Sequence, residues 1–392
     1  MKMLIYYELK KMFSFRKTLI CTVTAAAACA AIFFGLASSN RLSENLSDIK
    51  QELSASAGKM TDERMENAAK RYEEIINDPN NYKEENGEQI FDPPAEIRAE
   101  MNSFESILHK NTINKYPERI IWNLQEEAAG SDVSAGRKIL IKQNIEMVSR
   151  KGSLVYGYNL FYDYYNSFVK GYAPGLLGFF ILFFTAPVFS NEYAVRMDGL
   201  ILSSRHGKRG IIIAKFAAVL IGITAVFALV TGIYILTAGA VLGFSGGETS
   251  LTAMYYDVHQ YIESPYNFTM SQFLLLSLGV SWAACIGFGV FIMFVSSKLR
   301  NPLAVSAAGF IVFYLPLIFC AAAAKRENLT GVINFAYGRI MQTAPLIDIF
   351  DGFVIFGKVI MVKDAALFLL ASVTVLLALL TYRSFRRQQA AN

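Results

Sequence analysis

The chain has 392 residues, of which 54% are hydrophobic and 18% are charged. Because a soluble protein carries about 25% charged residues, this composition argues against a soluble protein and favours one that lies in a membrane. The net charge of +5 matters less than its distribution along the chain, and no nucleic-acid partner is expected.

Six long apolar stretches predict six membrane-spanning helices. A spanning helix needs roughly 20 predominantly apolar residues, and the central parts of these stretches hold no Lys, Arg, Asp or Glu. The runs are continuous rather than alternating, which favours helices over a barrel. The expected fold class is therefore an all-α polytopic membrane protein. The predicted spans are residues 19–36, 172–189, 211–242, 270–295, 302–324 and 365–382.

The N-terminal residues 1–18 predict a cytosolic amphipathic helix that lies on the inner leaflet. Aromatic and aliphatic side chains are mixed there with basic ones, among them Lys10 and Lys11, which follow Glu8. Such a helix places its apolar side in the lipid and its lysines against anionic headgroups. A simple extension of the first span is the alternative interpretation.

Residues 37–171, between the first two spans, predict a mostly helical extracellular domain. The segment is polar and slightly acidic, and Leu42, Leu46 and Ile49 recur at helical spacing. Thr61 precedes an amphipathic stretch and is placed to cap a helix over residues 62–77.

Aromatic residues crowd the approach to the second span, with Phe161, Tyr165 and Tyr172 among them. Tyr and Trp concentrate at membrane interfaces, where an amphipathic ring satisfies both phases, so an interfacial belt is one interpretation. The other is a substrate path, in which these three side chains line the place where an amphiphilic substrate leaves the bilayer. The sequence alone leaves both open.

A short basic segment, residues 190–210, separates the second and third spans. It is compatible with a helical hairpin, and it is placed to contact another molecule at the inner membrane face. Anchoring on anionic lipid is the alternative use of its basic residues. The residues singled out as candidates for a contact are Glu192, Arg196, Gly199, Leu202, Ser203, Ser204, Arg205 and Lys208.

The distribution of charge predicts the topology. Basic residues concentrate in the N-terminal arm, in residues 190–210, after the fourth span and in the C-terminal tail 383–392. These segments share one side if six spans alternate, so the positive-inside rule places both termini in the cytoplasm. Residues 243–269 hold acidic residues and no Lys or Arg, as expected for an outer loop. Residues 325–364 predict outer or re-entrant helices.

Motifs for catalysis on this chain are not found. The spacing Gly-x-x-x-x-Gly-Lys-[Ser/Thr] of a phosphate-binding loop is missing, as are His-Glu-x-x-His and Cys-x-x-Cys. The sequence therefore predicts no catalytic residue, no metal site and no cofactor here, and the chain is not expected to be an enzyme. If ATP drives its function, the ATP must bind to another chain.

Two short motifs resemble those of the permease subunits of type-2 ABC transporters (ABC-2 permeases). The first is Glu8-Leu9-Lys10-Lys11, shortly before Arg16-Lys17 and a span. The second begins at Glu192, continues through Gly199 and Leu202-Ser203-Ser204-Arg205, and ends at Lys215. The proline usual between the serines and the arginine is absent. Beyond these motifs, the resemblance is one of topology, and the large domain after the first span resembles the sodium- and antibiotic-export branch.

The resemblance implies a function that the residues alone do not. In this family the second motif looks like a coupling hairpin that docks in a groove of the ATPase subunit. It implies an exporter in the bacterial plasma membrane with two ATPase copies, which bind ATP and magnesium, and a second permease chain. The alternative is a mechanotransmission ABC protein, which moves an extracellular domain without passing substrate through the membrane. That class has four spans per chain.

Overall fold

The computed structural model describes residues 1–85, 88–194, 210–256, 260–322 and 333–388. Within these residues, six helices are long and apolar enough to cross a membrane, which confirms the predicted helical class and number of spans. The spans are Phe15–Ser39, Leu160–Tyr193, Gly210–Leu242, Met270–Ser296, Pro302–Cys320 and Val362–Phe385.

A short helix, α1 (Lys2–Met12), precedes the first span, α2 (Phe15–Ser39). A helical domain, called the inserted domain below, then separates α2 from the second span. It is mostly helical, as predicted. Its elements are α3 (Leu42–Ala55), β1 (Gly58–Lys59), α4 (Asp62–Asn77), β2 (Tyr82–Glu85), β3 (Glu88–Phe91), α5 (Ala95–His109), α6 (Asn111–Asn114), α7 (Tyr116–Ala129), α8 (Ala135–Ser149) and β4 (Val155–Tyr156).

The inserted domain has a small core of its own, separate from the core of the spans. Met60, Met65, Ile107 and Leu154 are buried together there. The pairing of β1 with β4 is antiparallel and joins the two ends of the domain. Thr61 caps α4, since its side-chain oxygen accepts the amide of Arg64 at 3.2 Å, which confirms that prediction.

The remaining spans follow in chain order, with short elements between them. A π-helical turn, Phe168–Tyr172, interrupts the second span. The elements are α9 (Leu160–Ser167), α10 (Ala173–Thr185), α11 (Pro187–Ala194), α12 (Gly210–Leu242), α13 (Met270–Ser296), α14 (Pro302–Ala322), α15 (Tyr337–Gln342), the hairpin β5 (Gly352–Ile355) and β6 (Lys358–Met361), and α16 (Val362–Gln388).

The second span begins at Leu160 rather than at the predicted residue 172. The span can extend to Leu160 because the polar side chains in its extra turns are buried and hydrogen-bonded. Asp163 accepts the backbone amide of Tyr255 at 2.9 Å, and the amide oxygen of Asn166 accepts the hydroxyl of Tyr261 at 2.7 Å. Because these partners come from a distant loop, a prediction from local hydropathy starts the span too late.

The bundle has a buried centre and an open periphery. The second, third and fourth spans are 67%, 44% and 56% buried inside the protein, whereas the first, fifth and sixth are each 17% buried. The first, fifth and sixth spans therefore present most of their apolar surface outward. In a membrane that surface meets lipid or another chain.

Candidate functional site at the α1 end of the bundle

A cluster of four charged side chains lies where α1 meets the ends of the second and third spans. Lys215 of α12 is at its centre and is 99% buried. Its ammonium donates to Glu192 Oε1 at 2.7 Å, to Glu8 Oε2 at 3.1 Å and to the carbonyl of Val188 at 2.9 Å. An ammonium has three hydrogen-bond donors, so each of them has an acceptor.

Lys11 completes the cluster from the exposed side. Its ammonium lies 3.2 Å from Glu8 Oε1 and 3.2 Å from Glu192 Oε1. Burial lowers the pKa of Lys11, but the attraction of the two carboxylates outweighs it, and the pKa is raised above its usual value. Two ammonium groups thus face two carboxylates, and the cluster is neutral overall. Neutrality matters because an uncompensated buried charge costs several kcal/mol.

The helix α1 is held in place by apolar contacts as well. Phe13 stacks on Phe184, with ring centroids 4.4 Å apart. A β-carbon at Gly222 would lie 2.7 Å from the Phe13 ring, so a glycine is required there for α1 to approach α12. Glu8 and Lys11 are three residues apart and share a helix face. These contacts therefore set Glu8 against Lys215 and Lys11 against Glu192.

A break in the second span places Glu192. Pro187 lacks an amide proton and the helix is interrupted at Ala186, between α10 and α11. Ser296 of the fourth span closes the gap, because its hydroxyl donates to the Ala186 carbonyl at 2.7 Å and accepts the Phe189 and Ser190 amides at 3.1 Å. The short helix after the break then carries Glu192 to Lys215.

The structure brings together three of the candidate residues predicted from sequence, Glu8, Lys11 and Glu192. Lys10 is exposed on another face of α1. Sequence reasoning names Lys215 only as the last residue of the second motif and gives Ser296 no role, although a lone lysine in an apolar span is itself a signal of function. The candidates that lie outside the described residues are Arg196, Gly199, Leu202, Ser203, Ser204, Arg205 and Lys208.

The aromatic candidates lie toward the other end of the second span. Phe161 and Tyr165 are 98% and 99% buried, and the Tyr165 hydroxyl is 2.8 Å from that of Ser277. Tyr172 is 44% exposed. Two of the three are therefore packed in the core in this conformation, and their role in a substrate path stays a prediction.

The segment that follows α12 contains a sequence motif of serine hydrolases, the nucleophile elbow. Contrary to the expectation that no catalytic motif is present, Gly243-Phe244-Ser245-Gly246-Gly247 has the Gly-x-Ser-x-Gly spacing of a nucleophile elbow. A working elbow requires a strand before the serine and a helix after it. Here the segment follows the end of helix α12, and Ser245 is exposed. Gly246 serves packing instead, because a β-carbon there would lie 2.1 Å from the Tyr158 carbonyl oxygen.

The cluster joins the end of the second span to the start of the third, through the ion pair of Glu192 and Lys215. Glu192 lies shortly before residues 195–209 and Lys215 shortly after them.

Among the described residues, no group of three or more His, Cys, Asp or Glu is arranged to hold a metal ion. No family model, curated protein or solved structure matches the chain. What the geometry offers is a mechanical connection between α1, the second span and the third.

Proposed function

We propose that this chain is the permease subunit of an ATP-driven ABC exporter. The observation that carries the proposal is the charge cluster, which ties α1 to both spans flanking residues 195–209. The two motifs that suggested the family, one around Glu8 and one from Glu192 to Lys215, meet in this cluster. If both motifs serve to couple the ATPase to the spans, they must lie close together in the folded chain, and these two do.

The cluster gives a route for movement. A partner ATPase that docks on residues 195–209 pushes on a segment whose two ends are joined by the Glu192–Lys215 ion pair. Since Glu8 is bonded to the same lysine, the movement reaches α1 as well. The first span begins at Phe15, three residues beyond Met12, the last residue of α1, so a shift of α1 is passed to α2.

The chemistry of ATP belongs to the partner in this proposal. Two ATPase chains supply the nucleotide and magnesium sites, and two permease chains, identical or paralogous, enclose the substrate path. The weakly buried first, fifth and sixth spans provide apolar surface for pairing with the second permease. The exported compound is a small molecule, peptide, lipid or ion. The membrane is the bacterial plasma membrane, with both termini in the cytoplasm.

A mechanotransmission ABC protein is the second candidate, and the inserted domain favours it, because a large domain after the first span is expected of that class. The count of spans favours the exporter, since six candidate spans are present and the mechanotransmission class has four. Both candidates require an ATPase partner, and transport by the reconstituted complex distinguishes them.

The proposal is tested by purifying the tagged chain from its native membrane and identifying what accompanies it. We expect an ATPase with a phosphate-binding loop, in equal amount to the permease. Gly199→Pro is expected to abolish the association, because proline in the hairpin changes the backbone that the ATPase recognises. A chain that reaches the membrane and purifies without any ATPase would contradict the proposal.

The topology is tested by cysteine labelling in intact cells, in a background without the four native cysteines. A cysteine at Asn80, which is exposed on the inserted domain, is expected to react with a membrane-impermeant maleimide added outside. A cysteine at His206 is expected to react only after the membrane is opened. The reverse pattern would place the inserted domain in the cytoplasm and overturn the proposed orientation.

A further inference from the structure

A groove lies between the first and third spans at their ends nearest the inserted domain. It has a volume of about 370 Å³, and its walls come from Phe33, Phe34 and Ala37 of α2, Leu46 of α3 and Val241 of α12. Phe33 is fully buried and forms the floor, whereas Phe34 and Val241 are 59% and 47% exposed. The groove is therefore open to the side, toward the surroundings of the bundle.

A single cation stands among the lining residues of this groove. Arg41 follows the last residue of α2 by two positions and belongs to the lining. Its φ of 48° marks the bend between α2 and α3, and its side chain is exposed. Among the side chains that the structure describes, no hydrogen bond or ion pair joins this guanidinium to a partner, which leaves its donors available to a ligand.

The position of the groove along α2 indicates its depth in the membrane. The apolar lining occupies the last turns of a 25-residue span, and each residue of a helix rises about 1.5 Å. The floor at Phe33 therefore lies about 9 Å below the end of α2, at the depth of lipid chains. Arg41 lies just beyond the helix end, at the depth of headgroups. The apolar part of the groove therefore suits one acyl chain of a phospholipid, and Arg41 suits the phosphate at the end of that chain.

We propose that this groove binds one anionic phospholipid, with its phosphate against Arg41 and one acyl chain along Phe33, Phe34 and Val241. A guanidinium recognises a phosphate through two parallel hydrogen bonds. The groove volume lies at the low end for ligand sites, which suits a single chain and not a whole drug-sized molecule. The bound lipid stabilises the junction between the first span and the inserted domain, because it touches α2, α3 and α12 together.

The test is native mass spectrometry of the full-length protein, stripped of lipid and titrated with dioleoyl phosphatidylglycerol. The wild type is expected to retain one lipid more tightly than all others. Arg41→Gln is expected to weaken that binding by about tenfold, as for loss of one charge-assisted contact. Ala37→Phe, which fills the groove and keeps the charge, is expected to have a similar effect, and Arg41→Lys is expected to retain part of the affinity.

Arg16→Gln provides the matched control. Arg16 is an exposed arginine at the opposite end of the same helix, also at headgroup level, and it lines no part of this groove. Its removal is expected to leave the tightest lipid in place. Equal retention by wild type, Arg41→Gln and Ala37→Phe would overturn the proposal. So would efficient disulfide crosslinking of two copies through Phe34→Cys, since the second permease would then cover the groove itself and not the fifth span, the sixth span or another face of the first.

Discussion

Replacing Lys215 by methionine is expected to lower the free energy of unfolding by about 3–5 kcal/mol, the usual cost of breaking a buried ion pair. The substitution keeps the length of the side chain but leaves Glu8 and Glu192, each 13% exposed, facing each other with only Lys11 for compensation. Thermal unfolding of the detergent-solubilised protein measures the effect. Lys10→Met, on the exposed face of α1, is the matched control and is expected to change the stability by less than about 0.5 kcal/mol.

A triple variant separates lost charge compensation from lost packing. Adding Glu8→Gln and Glu192→Gln to Lys215→Met removes the carboxylates that the lysine neutralises, and most of the stability is expected to return. If Lys215→Met alone unfolds at the same temperature as the wild type, the cluster contributes nothing to the stability of the fold. If the triple variant is as unstable as the single one, the loss comes from packing around Lys215 and not from charge.

Replacing Glu192 by alanine is expected to weaken association with the ATPase by about tenfold or more and to abolish transport, while the chain still reaches the membrane. One atom, Glu192 Oε1, accepts from both Lys215 and Lys11, so its removal detaches the end of the second span from both lysines at once, while Lys215 keeps its bond to Glu8. Two charged hydrogen bonds are worth about 1.5–3 kcal/mol each, and a tenfold loss of affinity needs only about 1.4 kcal/mol, so a part of their loss that reaches the docking segment is enough for this effect. Co-purification and transport measure it.

Glu73→Ala is the control for Glu192→Ala, because it removes an exposed carboxylate of the inserted domain. It is expected to leave ATPase association and transport unchanged. Lys215→Met with Glu8→Gln and Glu192→Gln is informative here too. It is expected to be stable but uncoupled, since the apolar replacement restores the fold without restoring the polar link. Normal transport by that variant would show that the cluster has only a structural role.

Much of the fold follows from the sequence because a bilayer imposes strict conditions on a chain. Uncharged stretches of about 20 residues have few alternatives to spanning helices, and the third and fourth spans begin and end within one residue of their predicted limits. The cap at Thr61 also follows from local chemistry alone. The early start of the second span does not, because Asp163 and Asn166 are tolerated there only through partners in a loop about 90 residues away.

The candidate site could be predicted only in part. Glu8, Lys11 and Glu192 stand in recognisable motifs, but nothing local says that residues 8 and 215 touch across 207 positions of sequence. That contact depends on the docking of Phe13 beside Gly222 and on the break before Pro187, which are properties of the packed bundle. The role of Ser296 is similarly hidden, since a serine at the end of an apolar span usually bonds to its own helix.

The most direct test of the central claim is the rate of ATP hydrolysis in the complex purified through a tag on this chain. The account predicts that the wild-type preparation hydrolyses ATP, although the chain carries no phosphate-binding loop. It also predicts that Gly199→Pro, expressed to the same level, yields a preparation without this activity because the ATPase no longer accompanies it. A wild-type preparation that fails to hydrolyse ATP, or a Gly199→Pro preparation as active as wild type, would contradict the account.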